Sequence, residues 1–312
     1  MALSLVALTS SAGVLVWALF FVGRQNDTAV NVAVDRDAAA VNVAAAAGIA
    51  KITTQYKVIQ RFPHDPKAFC QGLQWHNHHL IESTGMYGES QVRRWNPWNY
   101  TNSTNTTISM DPSQFGEGLC WFRDPHTGTD RYIQLTYHEQ TAWIYDQDLH
   151  MVDSKSYTTT TGEGWGITFD PHEQVLYVTD GSTTILVWNL ECQELRRFSV
   201  TVQLPWHDER QPLGRINELE WDVNDHTILA NVWFQNVLVR IDPRTGYVLE
   251  VMDLTHLYPL EERQQTLTSN PEAVMNGIAH YHEHNQWFVT GKYWPYLYLI
   301  EFHRPNNTVD EE

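Results

Sequence analysis

The sequence predicts an all-β chain folded as a five-bladed β-propeller, preceded by an N-terminal hydrophobic helix, and three observations carry that expectation. From residue 54 onward, short runs of β-branched and aromatic residues alternate with Gly, Pro, Asn and Asp clusters, the pattern of strands and turns rather than of a persistent 3.6-residue stripe. One phrase recurs five times, as Gln71-Gly72-Leu73, Glu117-Gly118-Leu119, Trp165-Gly166-Ile167, Asn217-Glu218-Leu219 and Asn276-Gly277-Ile278, at spacings of 46, 48, 52 and 59 residues. Repeats of that length, each too small to bury its own face, imply blades stacked around an axis. The third observation concerns the start of the chain, where Ala2 to Gly23 carries no charge.

Those 22 residues reach across a hydrocarbon core of about 30 Å as a helix rising about 1.5 Å per residue. An uncleaved anchor is favoured over a cleaved signal peptide, because no basic segment precedes the run and its length exceeds the usual roughly 7–15 apolar residues. Residues 24–50 are rich in Ala, Val, Asn and Asp, with Ala44-Ala45-Ala46-Ala47 and no turn grammar, and read as a stem that packs against little. The catalytic domain then spans 51–312. Asn-x-Ser/Thr sequons begin at Asn26, Asn99, Asn102, Asn105 and Asn306. Three of them within residues 99–107 place the domain in the secretory pathway, lumenal or extracytoplasmic on a single-pass anchor, or secreted if the anchor is cut.

Within each unit the second strand ends near Gly85, Tyr137, Asp180, Val232 and Gly291. The register is displaced only in the second unit, by the inserted segment 123–130. Third strands follow at 91–96, 141–146, 185–189, 237–242 and 295–300. Residues 55–62 precede the first unit and are expected to join the last blade as its outer strand, which removes an open edge.

Composition excludes several functions. With 20 Lys+Arg against 37 Asp+Glu the formal charge is −17, so no nucleic-acid partner is expected. A hydrophobic content of 42 % excludes a disordered chain. The three cysteines, Cys70, Cys120 and Cys192, form no C-x-x-C pair, so neither a disulfide framework nor a zinc ribbon is encoded.

In a propeller the innermost strands start at one mouth of the channel, so Gln71, Glu117, Trp165, Asn217 and Asn276 converge there. One acid, three amides and an indole are a poor packing layer. They form either a polar pocket or a hydrogen-bonded plug. The ends of the second strands add Tyr137, Trp233 and Lys292. A lone carboxylate and a lone ammonium within aromatic walls suggest acid–base work with charge stabilisation, but the pattern alone names no reaction.

The phrases in full are Phe69-Cys70-Gln71-Gly72-Leu73, Phe115-Gly116-Glu117-Gly118-Leu119, Gly162-Glu163-Gly164-Trp165-Gly166-Ile167-Thr168, Ile216-Asn217-Glu218-Leu219-Glu220-Trp221, and Met275-Asn276-Gly277-Ile278-Ala279 followed by Val289-Thr290-Gly291-Lys292-Tyr293-Trp294-Pro295. Over residues 54–302 they resemble the plant and bacterial type of glutaminyl-peptide cyclotransferase. The resemblance implies conversion of the N-terminal glutaminyl residue of a peptide or protein to pyroglutamate with loss of ammonia. Carried over, Glu117 moves the proton, Lys292 and Asn217 hold the oxyanion or the γ-amide, and Gln71 orients the substrate backbone or amine. Phe69, Phe115, Tyr137, Trp165 and Trp233 wall the substrate pocket, and Asn276 joins its polar lining. The resemblance further implies a zinc-independent enzyme, and no cofactor or metal is expected; the chain is expected to work as a monomer. Cys70 stands where the family usually has Thr, Tyr137 where it has Trp, and Trp233-Phe234-Gln235-Asn236 where it has Trp-Gln-Thr-Asp.

Other features weigh less. His280, His282 and His284 alternate along the chain, as a metal site would, yet they are expected in a solvated turn of the last blade. Cys70 has no triad-like partner nearby and reads as a small core residue rather than a nucleophile. Glu163 and Glu220 read either as orienters of their neighbours or as inter-blade bonds. The rival reading is a propeller that keeps the fold as an interaction platform without turnover.

Overall fold

The computed structural model describes residues 49–99 and 105–303. The expected anchor, most of the stem, and the sequons Asn26, Asn102 and Asn306 lie outside the described residues. Five antiparallel blades follow in chain order. Blade I is Cys70–His76, His79–Thr84, Gln91–Trp95 and Thr106–Ser109; blade II is Gly116–Arg123, Asp130–Thr136, Thr141–Tyr145 and Met151–Ser156. Blade III is Ile167–Asp170, Val175–Thr179, Thr184–Trp188 and Glu194–Ser199; blade IV is Ile216–Asp222, Thr227–Val232, Val237–Ile241 and Val248–Asp253. Blade V is Met275–Tyr281, Gln286–Gly291 and Tyr296–Phe302.

The order from axis to rim follows burial. Second strands such as Thr227–Val232 are buried at every residue, whereas the outer strands Met151–Ser156 and Glu194–Ser199 are almost wholly exposed. Strands covered on both faces read as continuous apolar runs, and rim strands do not. Apolar side chains pack between neighbouring blades, as where Tyr177 of blade III stacks on Trp221 of blade IV at 5.7 Å.

Tyr56–Pro63 pairs antiparallel with Tyr296–Phe302, so the expected outer strand of blade V is present and the ring is closed. A second edge is also covered. Lys51–Thr53 adds a fifth strand to blade IV, parallel to Val248–Asp253. Ala50, which composition assigns to the stem, is fully buried and donates its N–H to Gln203 O at 2.8 Å. The packed domain therefore begins before the expected spacer ends.

The long connection between blades IV and V contains the helix α1, Leu260–Ser269, which no apolar periodicity announces. Pro259, fixed at φ −56°, precedes it, and Glu261 and Glu262 occupy its positive first turn. Arg263 docks it by donating to Asn236 Oδ1 at 2.8 Å.

The repeated phrase has a steric cause at the axis. A Cβ on Gly72 would lie 2.4 Å from Leu119 N, one on Gly118 2.5 Å from Trp165 O, and one on Gly166 2.1 Å from Asn217 O. Adjacent inner strands thus run in backbone contact, which a side chain at these positions would prevent. Blade IV breaks the pattern. Its central residue is Glu218, 1 % exposed, whose Oε1 accepts Leu73 N–H of blade I at 3.2 Å and whose Oε2 accepts Ile278 N–H of blade V at 2.9 Å.

Candidate active site

The register of the inner strands shifts between Cys70 and Gly72, Gly116 and Leu119, Ile216 and Leu219, and Met275 and Ile278. A bulge of this kind frees backbone groups and re-aims the side chain beside it. The freed groups are caught by the preceding blade: Ser83 Oγ donates to Glu117 O, Thr179 Oγ1 donates to Asn217 O at 2.8 Å, and Gly277 N donates to Asn231 Oδ1 at 3.0 Å. Ser83 Oγ in turn accepts Gln134 Nε2 at 2.7 Å, and Gln134 Oε1 accepts Tyr145 O–H at 2.8 Å. The backbone of Glu117 is therefore fixed through three buried polar residues.

Gln71, Glu117, Asn217 and Lys292 are each 3 % exposed and Asn276 is fully buried. A hydrogen-bond chain joins three blades: Asn276 Nδ2 donates to Gln71 Oε1 at 3.3 Å and to Cys70 O at 3.0 Å, and Gln71 Nε2 donates to Glu117 Oε1 at 2.9 Å. Gln71 is thereby held by protein on both sides of its amide, so it orients Glu117 as well as facing the site. The Oδ1 atoms of Asn217 and Asn276 and the Nε1 of Trp233 make no hydrogen bond among the described residues. Buried acceptors and a donor without partners are what a bound amide or amine would satisfy.

Lys292 Nζ lies 4.3 Å from the Phe69 ring centre and 6.0 Å from that of Trp233, a cation–π setting that holds the ammonium with little water. Phe69 meets Phe115 at 5.9 Å, Phe115 meets Tyr137 at 5.5 Å, and Trp165 meets Trp233 at 5.5 Å. The rings expected as walls thus come together. Gly85 and Gly181 make space for two of them, since a Cβ there would lie 2.3 Å from Phe115 and 2.6 Å from Trp165. Burial pushes the Glu117 carboxyl well above the usual carboxylate range; Lys292 opposes that shift, and Glu163 and Glu139 add to it. Burial likewise lowers Lys292, while Glu117 and Glu272 raise it. Both groups are brought nearer neutrality, where proton transfer is efficient.

Sequence reasoning missed several neighbours. Tyr87 packs on Phe115 at 5.4 Å and donates its hydroxyl to Glu139 Oε1 at 2.9 Å, and Tyr293 packs on Phe69 at 5.2 Å. Tyr293 directly follows Lys292, a usable signal, but Tyr87 and Glu139 stand in turns outside the repeated phrase. Glu163 orients a wall ring by accepting Trp165 Nε1–H at 2.9 Å, whereas Glu220 is an inter-blade bond that accepts His280 N–H at 2.8 Å. Phe234 of the divergent segment lies against Trp233 at 4.5 Å and is 45 % exposed.

The turn position expected for the three histidines holds for His282 and His284 but not for His280. His280 lies on the inner strand of blade V, is 3 % exposed and stacks on Trp287 at 4.1 Å, and burial pushes it down to about 4. That strand continues to Tyr281 before the chain turns, which takes His280 out of solvent. No group of three or more His, Cys, Asp or Glu able to hold a metal ion occurs among the described residues. Cys70 is fully buried, and burial raises its thiol far above the reactive range, as befits a core residue.

A closed five-bladed propeller with an acid, an ammonium and three amides around one dry mouth defines a class of protein, and comparison with known proteins places the chain within it. The glutamine cyclotransferase family model matches residues 30–302. The chain belongs to that family. It is 33 % identical over 251 residues to a glutaminyl-peptide cyclotransferase of Arabidopsis thaliana, across 79 % of this chain and 71 % of the relative. The crystal structure of Myxococcus xanthus glutaminyl cyclase superposes with a TM-score of 0.64 at 28 % identity, over 81 % of this chain and 97 % of that one.

Proposed function

We propose that this chain cyclises N-terminal glutaminyl residues of peptides or proteins to pyroglutamate. The substrate α-amine attacks the γ-carbonyl carbon, the bond from that carbon to the γ-nitrogen breaks, and ammonia leaves. Glu117 accepts the proton released by the amine and delivers it to the departing nitrogen. Lys292 and the amide of Asn217 stabilise the tetrahedral oxyanion, and the ring walls hold the side chain curled for attack. An unprotonated fraction of the α-amine exists near neutral pH, since its ordinary pKa is about 7.7–8.0. The enzyme's task is therefore mostly geometry and proton handling, which these side chains supply without a metal.

The observation that carries the reading is the buried chain Asn276–Gln71–Glu117 facing Lys292 across unpartnered amide oxygens. A scaffold has little reason to keep a carboxylate and an ammonium buried at a channel mouth. The test is mass spectrometry of a synthetic Gln-initiated peptide with the full chain, beside Glu117→Gln and a chelator-treated sample. Loss of one ammonia that is enzyme-dependent, chelator-resistant and absent with the variant supports every part; retained turnover by Glu117→Gln rejects the assignment of the base. No loss above the spontaneous background favours the interaction platform.

We also place the domain outside the cytosol, tethered as a monomer through residues 1–23. The uncharged run and the sequon cluster support this, with Asn99 and Asn105 both exposed. Among the described residues no helix is long and apolar enough to cross a membrane. Alkaline extraction of membranes and glycosidase digestion of the expressed chain check the two parts separately.

A further inference from the structure

The mouth carries several carboxylates besides Glu117, and two of them are built into the walls. On the blade II and III side Glu139 accepts both the Tyr87 hydroxyl and, at 3.4 Å, Phe115 N–H. Glu163 accepts Trp165 Nε1–H and a hydrogen bond from the Tyr137 hydroxyl, whose pKa burial and this carboxylate push up to about 12. Both carboxylates are half-buried, and both act electrostatically on Glu117. Glu89 and Glu272, exposed, act on Tyr293 across the same opening. None of Glu89, Glu139, Glu163 and Glu272 has an ion-pair partner among the described residues. The cations that neutralise acids elsewhere are engaged away from the mouth: Arg93 with Glu82, Arg240 with Asp222, Arg197 with Glu194 and Lys155 with Glu191.

The opposing cations at the mouth belong to blades IV and V. Lys292 is buried there, and half-buried Arg215 heads the blade IV inner strand, its backbone bonded to Gly181 and Trp233. The phrase register explains the polarity. The residue two positions before each axial side chain is Phe69, Phe115, Glu163, Arg215 and Val274 in turn, so blades III and IV carry charged residues of opposite sign at the register position that a wall ring holds in blades I and II. Asn217, 3 % exposed, keeps its Oδ1 without a hydrogen bond among the described residues and is free to accept from a ligand.

We propose that Glu139 and Glu163 determine specificity by favouring peptides with Lys or Arg directly after the N-terminal glutamine. The inference rests on the cyclase reading. Once the glutaminyl side chain is curled between the rings, the next residue must leave across the rim, where a basic side chain meets uncompensated carboxylates and an acidic one is repelled. Aromatic rings at the same edge, with Tyr87 51 % exposed, cover the aliphatic part of a long cationic side chain.

The experiment compares initial rates of the full chain on three amidated peptides that differ only after the glutamine, with Lys, Ala or Glu there, at low and high salt. Expected at low salt is a kcat/KM for the Lys peptide roughly ten-fold above that for the Glu peptide, with Ala between, narrowing several-fold in high salt. Glu139→Gln and Glu163→Gln keep an oxygen that accepts the same wall hydrogen bonds but remove the charge. Each is expected to shrink the Lys-to-Glu ratio roughly three-fold, whatever it does to absolute rate. A ratio unchanged in both variants, or a preference for Glu in the wild type, overturns the proposal. The Ala peptide reports on the reaction itself: if the wild-type chain leaves it uncyclised, the cyclase reading fails and this inference falls with it.

Discussion

Blades I to III and blades IV to V close the same channel by different means. In the first group Gly72, Gly118 and Gly166 let one inner strand lie against the next, with no space for a Cβ. In the second, Glu218 spans the axis to blades I and V by two hydrogen bonds, and no cation pairs with it among the described residues. The glycine contact is steric and all-or-none; the carboxylate bridge is polar and graded. The site divides along the same line, with Glu117 on the glycine side and Asn217, Asn276 and Lys292 on the other. Chemistry that needs both an acid and a cation is held by two kinds of scaffold.

Breaking the chemistry gives the largest effect. Glu117→Gln should lower kcat by about 10²–10⁴-fold, the range of general acid–base contributions, with an unchanged thermal midpoint, since Gln keeps the acceptor for Gln71. Peptide cyclisation assays and melting curves check the two halves of that statement.

Gly166→Ala should follow, because the new methyl would meet Asn217 O at 2.1 Å and a backbone atom cannot step aside cheaply. A loss of about 3 kcal/mol or more is expected, measured by denaturant unfolding, with activity falling as Asn217 shifts. Glu218→Gln replaces one of two acceptor oxygens by a donor and should cost less, about 1–3 kcal/mol. If the two substitutions cost the same, or the order inverts, the contrast between steric and polar closure is wrong.

The pH dependence of stability sharpens the comparison. In blade I, burial raises Glu82, but Arg93 and His64 outweigh it and hold the carboxyl down to about 2. Its contribution is present above the unfolded value of about 4.3 and is lost as pH falls toward about 2. In blade IV, burial pushes Glu220 up to about 8, against the hydrogen bond from His280. The folded chain then binds the extra proton between about 4.3 and about 8, so this contribution is full at the acid end and lost as pH rises through that window. Glu220→Gln should flatten the fall of the melting temperature across that interval; an unaltered slope would remove Glu220 as its cause. The smallest effect is on a rate profile. Lys292 lowers the pKa of Glu117, so the residual activity of Lys292→Met should show its acid limb displaced to higher pH, and a displacement to lower pH would reverse the assignment.

Much of this was legible in the chain. Each axial side chain stands one residue before a glycine or Glu218, so the five-fold repeat located Gln71, Glu117, Trp165, Asn217 and Asn276 from residue order alone, and the family resemblance added Phe69, Phe115 and the roles. The outer strand at residues 55–62 followed from counting, because a closed ring has one strand left over. What escaped were features held by contacts remote in sequence. Ala50 and Lys51–Thr53 look like spacer until blade IV offers an edge, and α1 shows no apolar stripe because it docks through polar contacts, with Arg263 its buried residue and Glu262 paired to Arg61. His280 looks like its two exposed neighbours until Trp287 covers it.

By itself the sequence determined the fold, the blade count and the residues facing the axis, because strand period and repeat register are local properties written in residue order. Only the tertiary structure decided that Gln71 is clamped between Asn276 and Glu117, that Glu218 replaces a glycine as the bridge across the channel, and that Glu139 and Glu163 come close enough to act on Glu117. Those facts depend on distances between residues up to 205 positions apart in the chain, which the packing of five blades around one axis sets and no local pattern contains.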